Sequence, residues 1–189
     1  MHPPLHFAGI SGSLRKGSFN TAVLHKAVEL VPEGVIMDIV PIAEIPIYNA
    51  DLDLPIATQR PIAVTHFRNA LAKADGIVIV SPEYNYSIPG GLKNAIDWAS
   101  RGEDSPLLHK AVAVMGATPG LWGTVRMQLA FQAVFQFLNM HPVHKPEVLI
   151  ADARHKVDAQ GNLTDEKAIE LIKEKLKALK KLVLKLHND

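Results

Sequence analysis

Short apolar runs alternate with amphipathic segments along this chain, and this alternation limits its fold more than any other feature. The runs predict strands over residues 5–10, 35–40, 76–80, 111–116 and 148–151. Helical spacing of apolar residues predicts helices over 20–31, 62–74, 88–100, 124–140 and 164–186. Strands that alternate with helices pair in parallel through right-handed crossovers. The sequence therefore predicts an α/β fold with a doubly wound sheet.

Length and composition narrow the class of protein further. The 189 residues contain no dividing linker, which predicts one domain over 1–189. A net charge of +1 gives no reason to expect nucleic acid or an acidic membrane as a partner. No apolar run reaches the roughly 20 residues of a membrane span, so we expect a cytoplasmic protein. Because there is no cysteine, any redox chemistry must reside on a bound cofactor.

The loop after the first predicted strand is rich in small and polar residues. N–H groups at the start of a helix attract phosphate, and small residues let the backbone come close to it. Side-chain donors in this region are Ser11, Ser13, Arg15, Ser18, Asn20 and Thr21. The loop lacks the lysine of a Walker A motif, the last glycine of a nucleophile elbow and a G-x-G-x-x-G pattern. It therefore predicts a mononucleotide phosphate site, with a plain polar helix cap as the alternative.

The loop after the third predicted strand combines prolines, tyrosines and a glycine pair. Its sequence, from 81 to 98, is Ser-Pro-Glu-Tyr-Asn-Tyr-Ser-Ile-Pro-Gly-Gly-Leu-Lys-Asn-Ala-Ile-Asp-Trp. Tyr84 and Tyr86 offer flat surfaces for a conjugated ring, while Glu83 and Asn85 could meet the ring's polar edge. The position at the carboxyl end of a strand favours a ligand site over a plain surface loop.

This motif strongly resembles the NADPH-dependent FMN reductase family, and especially its bacterial quinone and chromate reductases. The run at 12–20, Gly-Ser-Leu-Arg-Lys-Gly-Ser-Phe-Asn, resembles the phosphate loop of the same family, and the similarity extends from about residue 5 to about residue 161. The resemblance implies a flavodoxin-like three-layer α/β/α sandwich with a five-stranded parallel sheet in the order 2-1-3-4-5. It also implies bound FMN and a homodimer or homotetramer.

The resemblance also implies which residues hold the cofactor. The FMN phosphate is expected at Ser11, Ser13, Arg15, Ser18 and Asn20. The isoalloxazine ring is expected beside Pro82, Glu83, Tyr84, Asn85, Tyr86 and Ser87. The loop after the fourth strand, with Ala117, Thr118 and Gly120, is expected to flank the flavin, and its glycines would permit a close approach to a planar ligand. Trp122 departs from the small residues of similar proteins.

These expectations define an FMN-dependent NAD(P)H oxidoreductase. Hydride would pass from NADPH or NADH to FMN and then to a small acceptor such as a quinone, chromate, an azo compound or a flavin. No catalytic side chain and no metal site is predicted. Lys93 and Arg101 are possible contacts for the phosphates of the nicotinamide cofactor. The alternatives are a flavodoxin-type electron carrier and, more remotely, a hydrolase that uses Ser11 or Ser13.

Overall fold

A computed structural model describes residues 3–188, which form a parallel sheet covered by helices. Within these residues the strands are β1 (Leu5–Ser11), β2 (Val35–Ile39), β3 (Gly76–Val80), β4 (Ala111–Ala117), β5 (His141–Pro142) and β6 (Leu149–Ile150). The strands pair in the order β2-β1-β3-β4-β5, and β6 also pairs with β4. All of these pairings are parallel. The predicted flavodoxin-like order is confirmed.

The fifth position of the sheet differs from the prediction of one strand over 148–151. Two short strands, β5 and β6, share that position beside β4, so the described sheet has six strands rather than five. Register pairs join β5 to Ala111 and Val112, and β6 to Gly116 and Ala117. Pro142 ends β5 and Pro146 lies in the chain between β5 and β6, and a proline has no N–H to donate to a ladder. The ladder on this side of β4 therefore skips residues 113–115.

Helices cover both faces of the sheet. They are α1 (Phe19–Glu29), α2 (Ile62–Lys73), α3 (Gly90–Ala99), α4 (Val125–Phe137) and α5 (Glu166–Leu186). On one face, Leu24 of α1 and Leu176 of α5 pack with strand residues such as Val78. On the other, residues of α2, α3 and α4 pack around Ile77. The alternate residues of a strand point to opposite faces, so these two cores make the three layers. None of the helices described in 3–188 is long and apolar enough to cross a membrane.

Candidate functional site

Three loops meet at the carboxyl edge of the sheet and enclose a cleft of about 510 Å³, a volume within the usual range for small-molecule sites. The predicted site residues that line it are Ser13, Arg15, Ser18, Asn20, Pro82, Glu83, Tyr84, Ala117 and Thr118. The predicted residues outside its lining are Ser11, Thr21, Asn85, Tyr86, Ser87 and Gly120. The structure therefore brings the three predicted loops together but divides their residues between the cleft and its supports.

The start of α1 forms one end of the cleft. Ser18 is the N-cap residue, and its Oγ accepts hydrogen bonds from the N–H groups of Asn20 and Thr21, at 3.2 and 3.4 Å. The positive end of the helix dipole, with Arg15 beside it, makes this end attractive to an anion. The Oγ atom of Ser11 lies 2.8 Å from Oγ1 of Thr21, so these two hydroxyls bind each other and support the loop.

Asn20 uses both ends of its side-chain amide on protein partners. Its Nδ2 donates to the carbonyl of Ala117 at 2.9 Å, and its Oδ1 accepts from the N–H of Ala117 at 2.8 Å. The side chain is buried, and buried polar groups are stable only when they are paired in this way. The geometry makes Asn20 a positioning residue that joins the start of α1 to the end of β4, while its expected contact with the phosphate stays a prediction.

Two glycines let the three strand ends come close together around the buried Ser81. A Cβ atom on Gly12 would lie 2.3 Å from Oγ of Ser81, and one on Gly116 would lie 2.3 Å from the carbonyl oxygen of Ser81. Carbon atoms do not approach oxygen so closely without displacement of the neighbour. The sequence suggested that the glycines at the end of β4 and in the loop that follows make room for a planar ligand. Gly116 instead makes room for the protein itself.

The loop after β3 turns back on itself in a two-residue hairpin. Tyr84 and Ser87 exchange both backbone hydrogen bonds, at 3.1 and 2.9 Å. The two residues between them, Asn85 and Tyr86, have φ angles of +48° and +63°. Two consecutive left-handed residues are typical of a type I′ turn, which favours asparagine at its first position but rarely contains tyrosine. The side chains of Asn85 and Tyr86 are exposed at the turn and do not line the cleft, whereas Tyr84 lines it.

Glu83 fixes this loop to the neighbouring helix. Its Oε2 accepts hydrogen bonds from the N–H groups of Arg126 and Met127, at 2.9 and 3.1 Å, in the first turn of α4. The guanidinium of Arg126 lies 3.6 Å from Oε1 and 4.0 Å from the centre of the Tyr86 ring. A carboxylate at the positive end of a helix is stabilised by the helix dipole. Glu83 therefore lines the cleft, but its carboxylate is hydrogen-bonded to the first turn of α4.

Arg154 is a cleft residue that the sequence analysis missed. It belongs to a short 3₁₀ helix, Ala153–His155, directly after β6. The N–H groups of Asp152 and Ala153 donate to the carbonyls of Gly120 and Thr118, which binds this segment to the loop after β4. Its position in the sequence could have indicated this role, because the residues that follow the last strand of a parallel sheet lie at the same carboxyl edge as the other loops. Arg154 gives the cleft a second guanidinium.

Three other residues raised by the sequence now have definite surroundings. Lys93 pairs with Asp97 at 2.6 Å, and the guanidinium of Arg101 lies 4.8 Å from the centre of the Tyr48 ring. Lys93 is therefore paired within α3, and Arg101, just after α3, stacks on a tyrosine of the segment between β2 and α2. Trp122 is exposed just before α4, with the guanidinium of Arg126 5.9 Å from the centre of its ring.

Comparison with known proteins agrees with this geometry. The family profile of NADPH-dependent FMN reductase matches residues 5–155. An NAD(P)H-dependent FMN reductase of Pseudomonas aeruginosa is 46% identical over 186 residues, which are 98% of this chain and 99% of that protein. A quinone reductase of Escherichia coli is 39% identical over 172 residues, 90% of each chain.

A solved structure supports the same assignment. FerB from Paracoccus denitrificans, a flavoenzyme NAD(P)H:(acceptor) oxidoreductase, superposes with a TM-score of 0.84 and 29% identity. The superposition covers 96% of this chain and 98% of FerB. With the fold, the cleft and these similarities in agreement, the chain belongs to the NADPH-dependent FMN reductase family.

Proposed function

We propose that the cleft binds FMN, that NADPH or NADH reduces the bound FMN, and that a small quinone is the acceptor that reoxidises it. The observation that carries this proposal is the convergence of the α1 N-terminus, Arg15 and Arg154 at a cleft whose wall includes Tyr84. Family membership makes the protein an oxidoreductase, and the quinone follows the named activity of its Escherichia coli relative. Chromate, azo compounds and free flavin are the other acceptors to test.

The phosphate of FMN would bind at the α1 end of the cleft. The hydroxyl of Ser18 accepts hydrogen bonds within the helix cap, and its own hydrogen is left for an anion. Ser13 and the guanidinium groups of Arg15 and Arg154 supply further donors. The cleft lining also contains the carboxylate of Glu83. Its charge is partly neutralised by the N–H groups of α4 that it accepts from, which weakens its repulsion of a bound phosphate.

The ring of FMN would lie beside Pro82, Tyr84 and the Ala117–Thr118 backbone. Bound FMN supplies the redox chemistry, because it accepts hydride from a nicotinamide and transfers electrons to an acceptor. The hairpin uses the N–H groups of Tyr84 and Ser87 internally. Those of Glu83, Asn85 and Tyr86 are therefore the candidate donors toward the electron-rich edge of the ring. The protein's part is to bind, orient and stabilise charge, which requires no acid or base side chain.

Arg15→Ala and Arg154→Ala test the phosphate assignment. We expect each variant to bind FMN about ten-fold more weakly, the effect of losing one charge-assisted hydrogen bond at an exposed site. Riboflavin, which lacks the phosphate, should bind the variants and the parent protein equally. Arg15→Lys is the matched control, because it keeps the charge. Quenching of flavin fluorescence measures all of these affinities.

Two results would contradict the proposal. An equal loss of riboflavin and FMN affinity would place the arginines away from the phosphate. Failure of the purified protein to bind added FMN would remove the proposed function altogether. If FMN binds, loss of its oxidised absorption on anaerobic addition of NADPH, followed by recovery with each acceptor in turn, identifies the acceptor.

We also propose that the protein is a homodimer or homotetramer. Four large apolar side chains are exposed in and before α4, with exposed fractions from 65% to 84%, and we call them the α4 patch: Leu121, Trp122, Leu129 and Phe137. Several large apolar side chains exposed along one segment favour an interaction surface there, and a net charge of +1 does not keep two copies apart. Phe137→Ser should shift the assembly toward monomer in sedimentation analysis. A monomeric parent protein would contradict the proposal.

The remaining parts of the proposal concern organisation and location. Elements from β1 to α5 share one sheet and its two helix layers, which supports a single FMN-binding domain over 1–189. NAD(P)H is an intracellular reductant, which supports a cytoplasmic location.

A further inference from the structure

Lys175 is a lysine buried in the apolar face of α5. Its side chain is 2% exposed and lies in the same stripe as Ile172, Leu176 and Leu179. Its Nζ donates to the carbonyl of Val143 at 2.5 Å. An ammonium group has three hydrogens to donate, and a lysine is rarely buried without an acid partner. The function proposed above has no use for this amine.

A cavity of about 260 Å³ adjoins Lys175. It lies between α4, α5 and the chain that links β5 to β6, at the gap in the ladder beside β4. Its apolar walls include Val114, Phe135 and Leu149, and Val143, whose carbonyl holds the amine, also lines it. The break in the fifth strand position therefore produces both the carbonyl that holds Lys175 and the space beside it. A small organic molecule fits this space.

Burial lowers the pKa of Lys175 to about 8. The charged neighbours act in opposite directions, because Glu147 raises this pKa and Lys145 lowers it, and the two form an ion pair at 3.1 Å. His144 is the other titratable group at the cavity. At pH 7.5 about a quarter of the Lys175 amines are neutral, against about one in a thousand for an ordinary lysine. A neutral amine is a nucleophile, and an ammonium ion is not.

We propose that Lys175 forms an imine with small aldehydes that enter this cavity. The amine nitrogen attacks the carbonyl carbon and a C=N bond forms. The carbonyl oxygen leaves as water with the two hydrogens of the neutral amine. Short apolar aldehydes fit best, because their hydrocarbon part can contact Val114, Phe135 and Leu149. Desolvated lysines in apolar pockets are the usual sites of this chemistry.

Reductive labelling tests the proposal on the FMN-loaded protein. The protein is kept in its native assembly, because Leu129 lines the cavity and also belongs to the α4 patch, so contact between copies would affect access to the cavity. The protein is treated at pH 7.5 with propanal and cyanoborohydride, which converts each imine into a stable propyl amine. Peptide mass spectrometry then gives a labelling rate for every lysine. We expect Lys175 to react about ten-fold faster than the exposed Lys145, because its larger neutral fraction outweighs its lower nucleophilicity.

The pH dependence of labelling and a Lys175→Met variant show whether the label is on the neutral amine of Lys175. The labelling rate of Lys175 should rise with pH to a midpoint near 8, whereas that of Lys145 should still be rising at pH 9. Lys175→Met removes the amine but keeps an apolar chain of similar length, so it should lose this label alone. A Lys175 that is unlabelled, or labelled no faster than Lys145, in protein that remains folded by circular dichroism would overturn the proposal. The labelling rate is measured by mass spectrometry, so the result for Lys175 is independent of whether the cleft binds FMN.

Discussion

Gly116→Ala should reduce the affinity for FMN by roughly ten- to a hundred-fold, because overpacking strains the strand ends that carry the cleft by about 1–3 kcal/mol, and about 1.4 kcal/mol is a factor of ten in affinity. The new Cβ atom would lie 2.3 Å from the carbonyl oxygen of Ser81 and 2.4 Å from Oγ1 of Thr124. The backbone at the end of β3 must move to relieve the first contact. All three loops of the cleft start from the strand ends that would be displaced.

The same substitution should lower the melting temperature. Overpacking of a core costs about 1–3 kcal/mol, which for a chain of this length corresponds to roughly 3–10 °C. Gly90→Ala is the matched control, since no atom lies within 4 Å of the position where its Cβ would be, and it should melt like the parent protein. A Gly116→Ala protein that binds FMN normally would show that the strand ends are not held as closely as described.

Asn20→Ala should produce the second large effect. It removes both hydrogen bonds to Ala117 and leaves a buried N–H and a buried carbonyl unpaired, at a cost of about 2–4 kcal/mol. The start of α1 would then lose its connection to β4, so we expect FMN affinity to fall by roughly thirty-fold or more. Thermal melts and flavin fluorescence measure the two effects separately.

Asn69→Ala provides the comparison for Asn20→Ala, because Asn69 is exposed on α2 and should tolerate the change. Asn20→Asp adds a finer test. It keeps an acceptor for the N–H of Ala117 but places a carboxylate oxygen against the carbonyl of Ala117, so it should be less stable than the parent protein. If Asn20→Ala loses FMN affinity without any loss of stability, the side chain is a ligand contact and not a positioning residue.

The fold was predictable because its signals are local. The run at 76–80 is buried at every position in β3, and each predicted helix is present with ends that differ by at most three residues. The break between β5 and β6 was not predictable, because strands of two residues have no periodicity to detect. Lys175 illustrates a similar failure, since its spacing matches the apolar stripe of α5 while its charge suggests a solvated face.

The site was predictable in its loops but less so in its roles. Residue type identified Asn20 and Glu83 as polar groups at the carboxyl edge of the sheet. Their partners could not be read from type, because Ala117 lies 97 residues after Asn20 and the first turn of α4 lies more than 40 residues after Glu83. A hydrogen-bonding side chain near a ligand site can bind the ligand or hold the site in shape. Only the folded geometry distinguishes these two uses.

The type I′ turn at Asn85–Tyr86 has a consequence for protein engineering. A library that randomises residues 84–87 to change the preferred acceptor would sample backbone strain together with ring contacts. Most residues placed at 85 or 86 must adopt a left-handed conformation, which costs roughly 1–2 kcal/mol for a residue other than glycine, asparagine or aspartate. Clones would then be selected for turn compatibility rather than for the acceptor. Tyr84 is the better position to diversify, because it lines the cleft and lies outside the left-handed pair.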